Sequence, residues 1–374
     1  MRVLITGGAG FIGTHLTRRL LRDGHAVTIV DSFSPQVHCG NKELSSDLAR
    51  EVQLIRGDVR DESVVRRSLE GQEAVVHLAA ETGTGQSMYE IARYEDVNLH
   101  GTAILLEQLV KGVARTVETV VVASSRAVYG EGRYRCAEHG VQFPGSRAKD
   151  HMRRGEFEPK CRTCGAEMEA VATTEESALH PSSFYGLTKL AQEQMILMFG
   201  RTLGLRSFGL RYQNVYGPGQ SLNNPYTGIL AVFSTQARTG KPIYVFEDGL
   251  ESRDFVYVDD VVEATVRSLS APTAMEALNV GAGQRVSVLE VAKAIVKYYG
   301  NKSEVSINGA FREGDIRHNF ADLSRVAARL GYKPRWTFAA GLQRFLDWSA
   351  DQTPQTNRYE ESLQELKARG LYIA

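Results

Sequence analysis

A tyrosine and a lysine stand four residues apart in Tyr185-Gly186-Leu187-Thr188-Lys189, within a stretch whose pattern predicts a helix from about Ser183 to Leu203. At that spacing both side chains leave one face. A phenol titrates near pH 10 and is a poor base at neutral pH, but a neighbouring ammonium stabilises the phenolate. The pair could therefore take a proton from a hydroxyl, given a further hydroxyl to hold the reacting oxygen. Val121-Val122-Ala123-Ser124-Ser125 places two at the end of a strand-like run. Each motif alone is commonplace, and serines at a strand terminus also serve as caps.

A second constellation is the loop Gly7-Gly8-Ala9-Gly10-Phe11-Ile12-Gly13, between the strand-like Val3–Thr6 and the helix-like Phe11–Arg22. Gly7 permits a tight turn, Gly10 lets the backbone approach a pyrophosphate, and Gly13 lets helix pack on strand. The helix then presents free N–H groups and its positive dipole end to phosphates. Asp31 closes the next strand, Val27–Asp31, where a carboxylate takes ribose hydroxyls and repels a 2′-phosphate. The expected dinucleotide is NAD rather than NADP. Asp58-Val59 is expected at the adenine, and Leu78-Ala79-Ala80 offers small residues where a cofactor backbone must pass.

The third pattern pairs Cys136 and His139 with Cys161 and Cys164, with 21 residues between His139 and Cys161. This is the spacing of a structural zinc site of the Cys3His type. Four protein ligands leave no open position, so the expected zinc is structural; reduced thiols in a loop are the alternative. Cys39 reads as an ordinary thiol.

Apolar runs at Val3–Thr6, Val27–Asp31, Val52–Arg56, Ala74–Leu78, Val120–Ala123 and Ser207–Arg211 alternate with helical patterns, which implies a parallel sheet covered on both faces. The expected class is α/β: a Rossmann-type doubly wound parallel sheet with a smaller mixed α/β substrate domain and a zinc-ribbon-like insertion. The expected divisions are a dinucleotide-binding domain at 1–132, the cysteine-rich insertion at 133–176, a return to the first domain at 177–215, and a mainly substrate-binding region at 216–374 with some segments returning. Beyond Tyr216 the sequence predicts a strand at Arg253–Val258, a helix at Leu289–Tyr299 and a last helix at Phe338–Ala350. The insertion is rich in Gly, Arg, Glu and Pro and is expected to need a metal clip to fold. With 44 basic and 44 acidic residues in 374, the balance calls for no nucleic-acid partner. No apolar run is long enough to span a membrane, and no signal-peptide pattern opens the chain, so the cytoplasm is the expected address.

Taken together, the Gly7/Gly10/Gly13 loop, Asp31, Asp58, Leu78-Ala79-Ala80, Ser125, Tyr185 and Lys189 resemble the extended short-chain dehydrogenase/reductase superfamily. They resemble its nucleotide-sugar epimerase/dehydratase branch more closely. The resemblance continues in order through Leu210-Arg211-Tyr212-Gln213-Asn214-Val215-Tyr216-Gly217-Pro218, Arg253-Asp254-Phe255-Val256-Tyr257-Val258-Asp259-Asp260, Asn279-Val280-Gly281 and Arg312-Glu313-Gly314-Asp315. It implies that Tyr185 removes a sugar hydroxyl proton, that Lys189 lowers its pKa and binds the nicotinamide ribose, and that Ser125 bonds the same sugar oxygen. It also implies that Ser124 lies against the nicotinamide, that Asn214 contacts the sugar diphosphate, and that Arg253 and Arg312 clamp it. Phe246 matches a position that stacks a nucleobase, with an apolar core place as the alternative.

Sugar 4,6-dehydratases carry an Asp-Glu pair directly after the catalytic hydroxyl. Here Arg126-Ala127 stands in that place, which argues against a dehydratase. A 4-epimerase, which oxidises C4 and reduces its other face, needs only Ser125, Tyr185, Lys189 and bound NAD. A net oxidoreductase would use the same set, and a non-catalytic NAD-binding scaffold is the third alternative. The loop Glu81–Met88 is expected to face the sugar through Thr84, Gln86 and Ser87. With Asn223-Asn224-Pro225-Tyr226-Thr227-Gly228 it resembles a branch whose members include 4-epimerases acting on dTDP-L-rhamnose. UDP-hexose and UDP-hexuronate 4-epimerases are the alternatives. A homodimer is implied by the resemblance alone.

Overall fold

The central sheet has seven parallel strands: β1 (Arg2–Thr6), β2 (Ala26–Asp31), β3 (Gln53–Arg56), β4 (Ala74–His77), β5 (Thr119–Ser125), β6 (Arg206–Tyr212) and β7 (Met275–Val280). Their spatial order is β7-β6-β5-β4-β1-β2-β3. The structure, a computed structural model, describes every residue except Cys39, Asn41, Lys42, Pro225, Thr227, Thr273, Ala274, 354–358 and Ala374. The expectations for Cys39, Pro225 and Thr227 therefore lie outside the described residues. Strand order reverses between β1 and β4, the switch point where such sheets hold ligands beyond their carboxyl ends.

Val3 and Ile5 share one core with Leu16 and Leu20 of α1 (Phe11–Arg22). Leu4, Val75 and Val122 belong to the other, with Ile104 and Leu105 of α2 (Gly101–Val110) and Ile196 of α3 (Phe184–Leu203). Because both faces are covered, the strands read as continuous apolar runs rather than alternating ones. The Ser183 side chain caps α3 by accepting from Gly186 N, and Gly204, at φ 67°, closes its far end. Among the described residues, no helix is long and apolar enough to cross a membrane.

Two expectations fail beyond β6. Arg253–Val258 is not one strand: Ser252–Arg253 and Phe255–Tyr257 flank Asp254, and helix α4 (Val258–Leu269) begins where the strand was expected to end. The buried Asp254 carboxylate breaks the run by accepting from the N–H groups of Ala282, Gly283 and Ala321. Val258, Val261, Val262 and Thr265 recur at helical spacing, and all four are buried within α4. Phe338–Asp351 is also not the last helix. α5 (Tyr359–Ala368) follows, and Tyr372–Ile373 pairs antiparallel with Phe311–Arg312. The charged residues of α5, with only Ser362 and Leu366 buried, left no periodic apolar stripe to detect.

Between β5 and α3, Tyr134–Cys136, Gly140–Gln142 and Glu169–Ala170 form a three-stranded antiparallel sheet. This segment has apolar and ionic anchors of its own, which corrects the expectation that a metal alone must order it. Tyr134, Cys136, Cys161, Met168 and Ala170 cluster against Phe320, while Met152 and Phe157 cluster with Phe311. The buried Arg147 guanidinium bridges Glu131 at 2.8 Å and Glu247 at 2.7 Å. Arg317, more deeply buried still, pairs with Glu158, Glu247 and Asp248 at 2.7, 2.9 and 2.6 Å.

Candidate active site

One cavity of about 1260 Å³ runs from the glycine loop to the Arg312 strand. At its first end Gly7 sits at φ 70°, and a Cβ there would lie 2.8 Å from Ala79 N. A Cβ on Gly13 would lie 2.6 Å from the Gly7 carbonyl oxygen. Only glycine allows these approaches, and they bring the α1 N-terminus to the cavity wall formed by Gly7, Gly10, Phe11, Ile12 and Gly13. Asp31 is fixed by N–H donors from Ala9 at 3.0 Å and Phe33 at 2.8 Å, with His38 Nε2 3.3 Å away. His38 is thus an additional neighbour of the carboxylate. Asp58, Val59, Leu78, Ala79 and Ala80 line the same end. The Asp58 carboxylate is paired with Arg60 at 2.7 Å, so it reaches the cavity wall as one half of an ion pair.

At the middle of the cavity the ends of β5 and α3 meet. A Cβ on Gly186 would lie 2.6 Å from the Ala127 carbonyl oxygen, so glycine lets α3 settle on the turn after Ser125. Ser125, Tyr185 and Lys189 all line the cavity. Burial pushes the Tyr185 phenol up, opposed by the Ser125 hydroxyl and the Arg126 guanidinium. Burial lowers Lys189 to about 7, and its Nζ donates to the Ala123 carbonyl at 3.0 Å. The cation whose field opposes burial at the phenol is thus Arg126, where the sequence reading looked to Lys189. Ser124 also borders the cavity, but its hydroxyl donates to Glu193, which is itself paired with Arg211.

At the far end Asn214, Phe246, Arg253 and Arg312 line the cavity, as does Thr84. Arg312 pairs with Asp315 at 2.8 Å and lies over the Phe246 ring at 5.2 Å. Arg253 donates to the carbonyl oxygens of Ser252, Ile316 and Arg317. Gln86 and Ser87 are not in the wall, which corrects the expectation for that loop. Gln86 is buried and exchanges hydrogen bonds with Gln36. Ser87 Oγ accepts from Tyr185 N at 2.9 Å, so it helps seat the helix that carries the phenol. Sequence reasoning missed Arg126, which lines the cavity beside Ser125, and Tyr359, Ser362 and Leu366 of α5. A charge immediately after Ser125 was the available signal for Arg126; α5 offered none.

In the insertion, the ligand atoms of Cys136, His139, Cys161 and Cys164 all lie within 4.8 Å of one another. Cys136 Sγ is 3.6 Å from both His139 Nδ1 and Cys164 Sγ, and Cys161 Sγ is 3.7 Å from His139 Nδ1. A zinc tetrahedron with Zn–S near 2.3 Å has edges of about 3.8 Å, so the donor set fits that ion. The sulfur separation is too long for a disulfide.

The chain matches the model of the NAD dependent epimerase/dehydratase family over residues 3–144 and 161–281. It is 39% identical over 360 residues to a dTDP-L-rhamnose 4-epimerase of Burkholderia thailandensis, covering 95% of this chain and 97% of that one. Among solved structures, it resembles UDP-glucose 4-epimerase of Thermotoga maritima with UDP-glucose, with TM-score 0.74 and 29% identity over 93% of this chain and 98% of that one. It also resembles UDP-glucose 4-epimerase of Thermus thermophilus in complex with NAD, with TM-score 0.72 and 27% identity over 94% and 100% of the two chains. With the glycine loop, the β5 serines and the α3 tyrosine and lysine on one cavity, the chain belongs to the NAD dependent epimerase/dehydratase family and is an NAD-dependent epimerase.

Proposed function

We propose that the protein is a nucleotide-sugar 4-epimerase that interconverts dTDP-L-rhamnose and dTDP-6-deoxy-L-talose. The observation that carries the substrate is the 39% identity to the Burkholderia thailandensis enzyme across nearly both chains. The Thermotoga maritima UDP-glucose enzyme stands at 29%. When bound, NAD supplies the hydride acceptor and donor for C4. Gly7, Gly10, Phe11, Ile12, Gly13, Asp31, Asp58, Val59, Leu78, Ala79 and Ala80 would hold it, with Ser124, Tyr185 and Lys189 at its reactive end.

Tyr185 takes the proton from the C4 hydroxyl and later returns it, while Ser125 hydrogen-bonds the same oxygen. Lys189 orients the nicotinamide ribose, and Arg126 keeps positive charge near the phenol. Asn214, Arg253 and Arg312 hold the sugar diphosphate, and Phe246 faces the base, with its other neighbours Tyr372 and Arg312. Thr84 faces the sugar. Arg126, in place of an acidic pair after Ser125, leaves that segment without a carboxylate to work at C5 and C6, which disfavours dehydration.

The insertion fits a structural zinc held by Cys136, His139, Cys161 and Cys164. Their ligand atoms lie within 4.8 Å of one another, as a tetrahedral donor set requires. The homodimer reading draws support from Leu187 and Met198, both exposed apolar residues of α3 set eleven positions apart and so on one face.

The test is turnover of dTDP-L-rhamnose, UDP-glucose and UDP-glucuronate with products read by NMR. Inversion at C4 of the rhamnosyl nucleotide in preference to the others is expected. Preferential inversion of a UDP-sugar would overturn the substrate, and absence of turnover with all three would overturn the reading itself.

A further inference from the structure

The other cavity-facing arginines at the sugar-nucleotide end of the site, and the buried arginines behind them, have carboxylate or carbonyl partners at their terminal nitrogens. Arg147 lies between Glu131 and Glu247, Arg312 faces Asp315, and Arg317 has three carboxylates. Arg253 spends its terminal nitrogens on carbonyl oxygens. Arg126 differs. Among the described residues its guanidinium has no carboxylate at ion-pair distance, and its one hydrogen bond runs from Nε to Asn214 Oδ1 at 2.6 Å. The residue is half-buried and forms part of the cavity wall.

Burial, with Arg253 nearby, lowers Arg126 to about 9, which still leaves a cation at neutral pH. Asp315, the Tyr185 phenol and Glu131 act in the other direction. A partly desolvated guanidinium without an anionic partner is under-compensated, and an anion entering the site supplies charge-assisted hydrogen bonds. Arg126 feels the charge of both Arg253 and the Tyr185 phenol. An anion there would offset the repulsion between the two guanidiniums, adding to what Asp315 and Glu131 supply.

We propose that Arg126 binds the sugar-proximal phosphate of the nucleoside diphosphate, its guanidinium plane fixed by the bond to Asn214. This rests on the nucleotide-sugar reading above. The sugar proposed there carries no charge, so the diphosphate is the anion available. The residue then marks the junction between sugar and diphosphate and ties substrate anchoring to the turn that carries Ser125.

The experiment measures Kd for dTDP and dTMP on NAD-loaded wild type, Arg126→Met and Arg126→Lys by calorimetry. dTDP carries the sugar-proximal phosphate and dTMP lacks it. Arg126→Met should weaken dTDP by about tenfold or more, the factor expected of a lost charged hydrogen bond, while dTMP changes little. Arg126→Lys should recover part of the loss. NAD content and melting temperature report folding; if Arg126→Met loses NAD, an intermediate dTDP affinity in Arg126→Lys carries the test. Equal dTDP affinity in wild type and both variants overturns the proposal. A loss confined to the complete nucleotide sugar also overturns it, by moving the guanidinium onto the sugar. Wild type that binds neither dTDP nor UDP overturns the nucleotide-sugar reading together with this one.

Discussion

Tyr185 has to lose a proton that its surroundings hold in place: burial raises the phenol, while Ser125 and Arg126 pull it back. The rate of C4 oxidation follows the phenolate fraction, so kcat falls as pH drops below the Tyr185 pKa. Removing the Arg126 cation raises that pKa further. The acid limb of kcat in Arg126→Met should therefore move to higher pH. Tyr185→Phe should lose the limb together with about 10²–10⁴-fold of rate. A pH profile of kcat for the three proteins checks this, and limbs at the same pH in wild type and Arg126→Met would show that the guanidinium does not act on the phenol. At this scale the sequence is most legible where chemistry imposes a spacing. Tyr185 and Lys189 must share a helix face, and Gly7 and Gly13 must lack a Cβ. It is least legible where a loop has two sides. Nothing in Thr84-Gly85-Gln86-Ser87 tells that Thr84 meets the cavity while Ser87 turns to the Tyr185 amide.

The insertion shows how an element without periodicity can still be built into the site. Arg147 reaches Glu247, next to Phe246, and donates to the Asp315 carbonyl at 3.1 Å, while Glu158 meets Arg317 and His318. The same cluster therefore supports the cavity wall at Phe246 and the Arg312–Asp315 pair. Its long-range partners, Glu247 and Arg317, lie far from the insertion in sequence, so spacing could not reveal them. The Cys/His set was legible because metal geometry requires short local pairs. Protein purified without chelators should hold one zinc per chain. Zinc removal should leave NAD bound, expose the segment around Asp150–Lys160 to protease first, and raise KM for the nucleotide sugar. Arg147→Met should act in the same direction and cost about 3–5 kcal/mol of stability, because it removes the ion-pair partner of the buried Glu131 and one of the two partners of Glu247. Metal analysis, limited proteolysis and a KM-against-kcat comparison read these effects. Well under one zinc per chain, or an unchanged KM after zinc removal, would separate the insertion from the site.

Across the whole molecule, the cavity is assembled from pieces distant in sequence. The glycine loop opens the chain, Ser125 and Tyr185 flank the insertion, and α5 with the Tyr372–Ile373 strand closes the far wall beside Arg312. The parallel sheet was readable from its apolar runs because both faces are buried. The second region was less so, since its short strands and the charged α5 take their places from partners elsewhere in the chain. The continuity of the cavity makes the central claim testable in one reaction. Both hydride transfers take place at one site, so a hydrogen that leaves C4 returns to C4 without meeting water. The direct measurement is NMR of the product formed from dTDP-L-rhamnose carrying deuterium at C4. The epimer should retain the deuterium at C4 with no free NADH in solution. Deuterium lost to solvent, or NADH released in proportion to product, would contradict transient C4 oxidation by a retained cofactor.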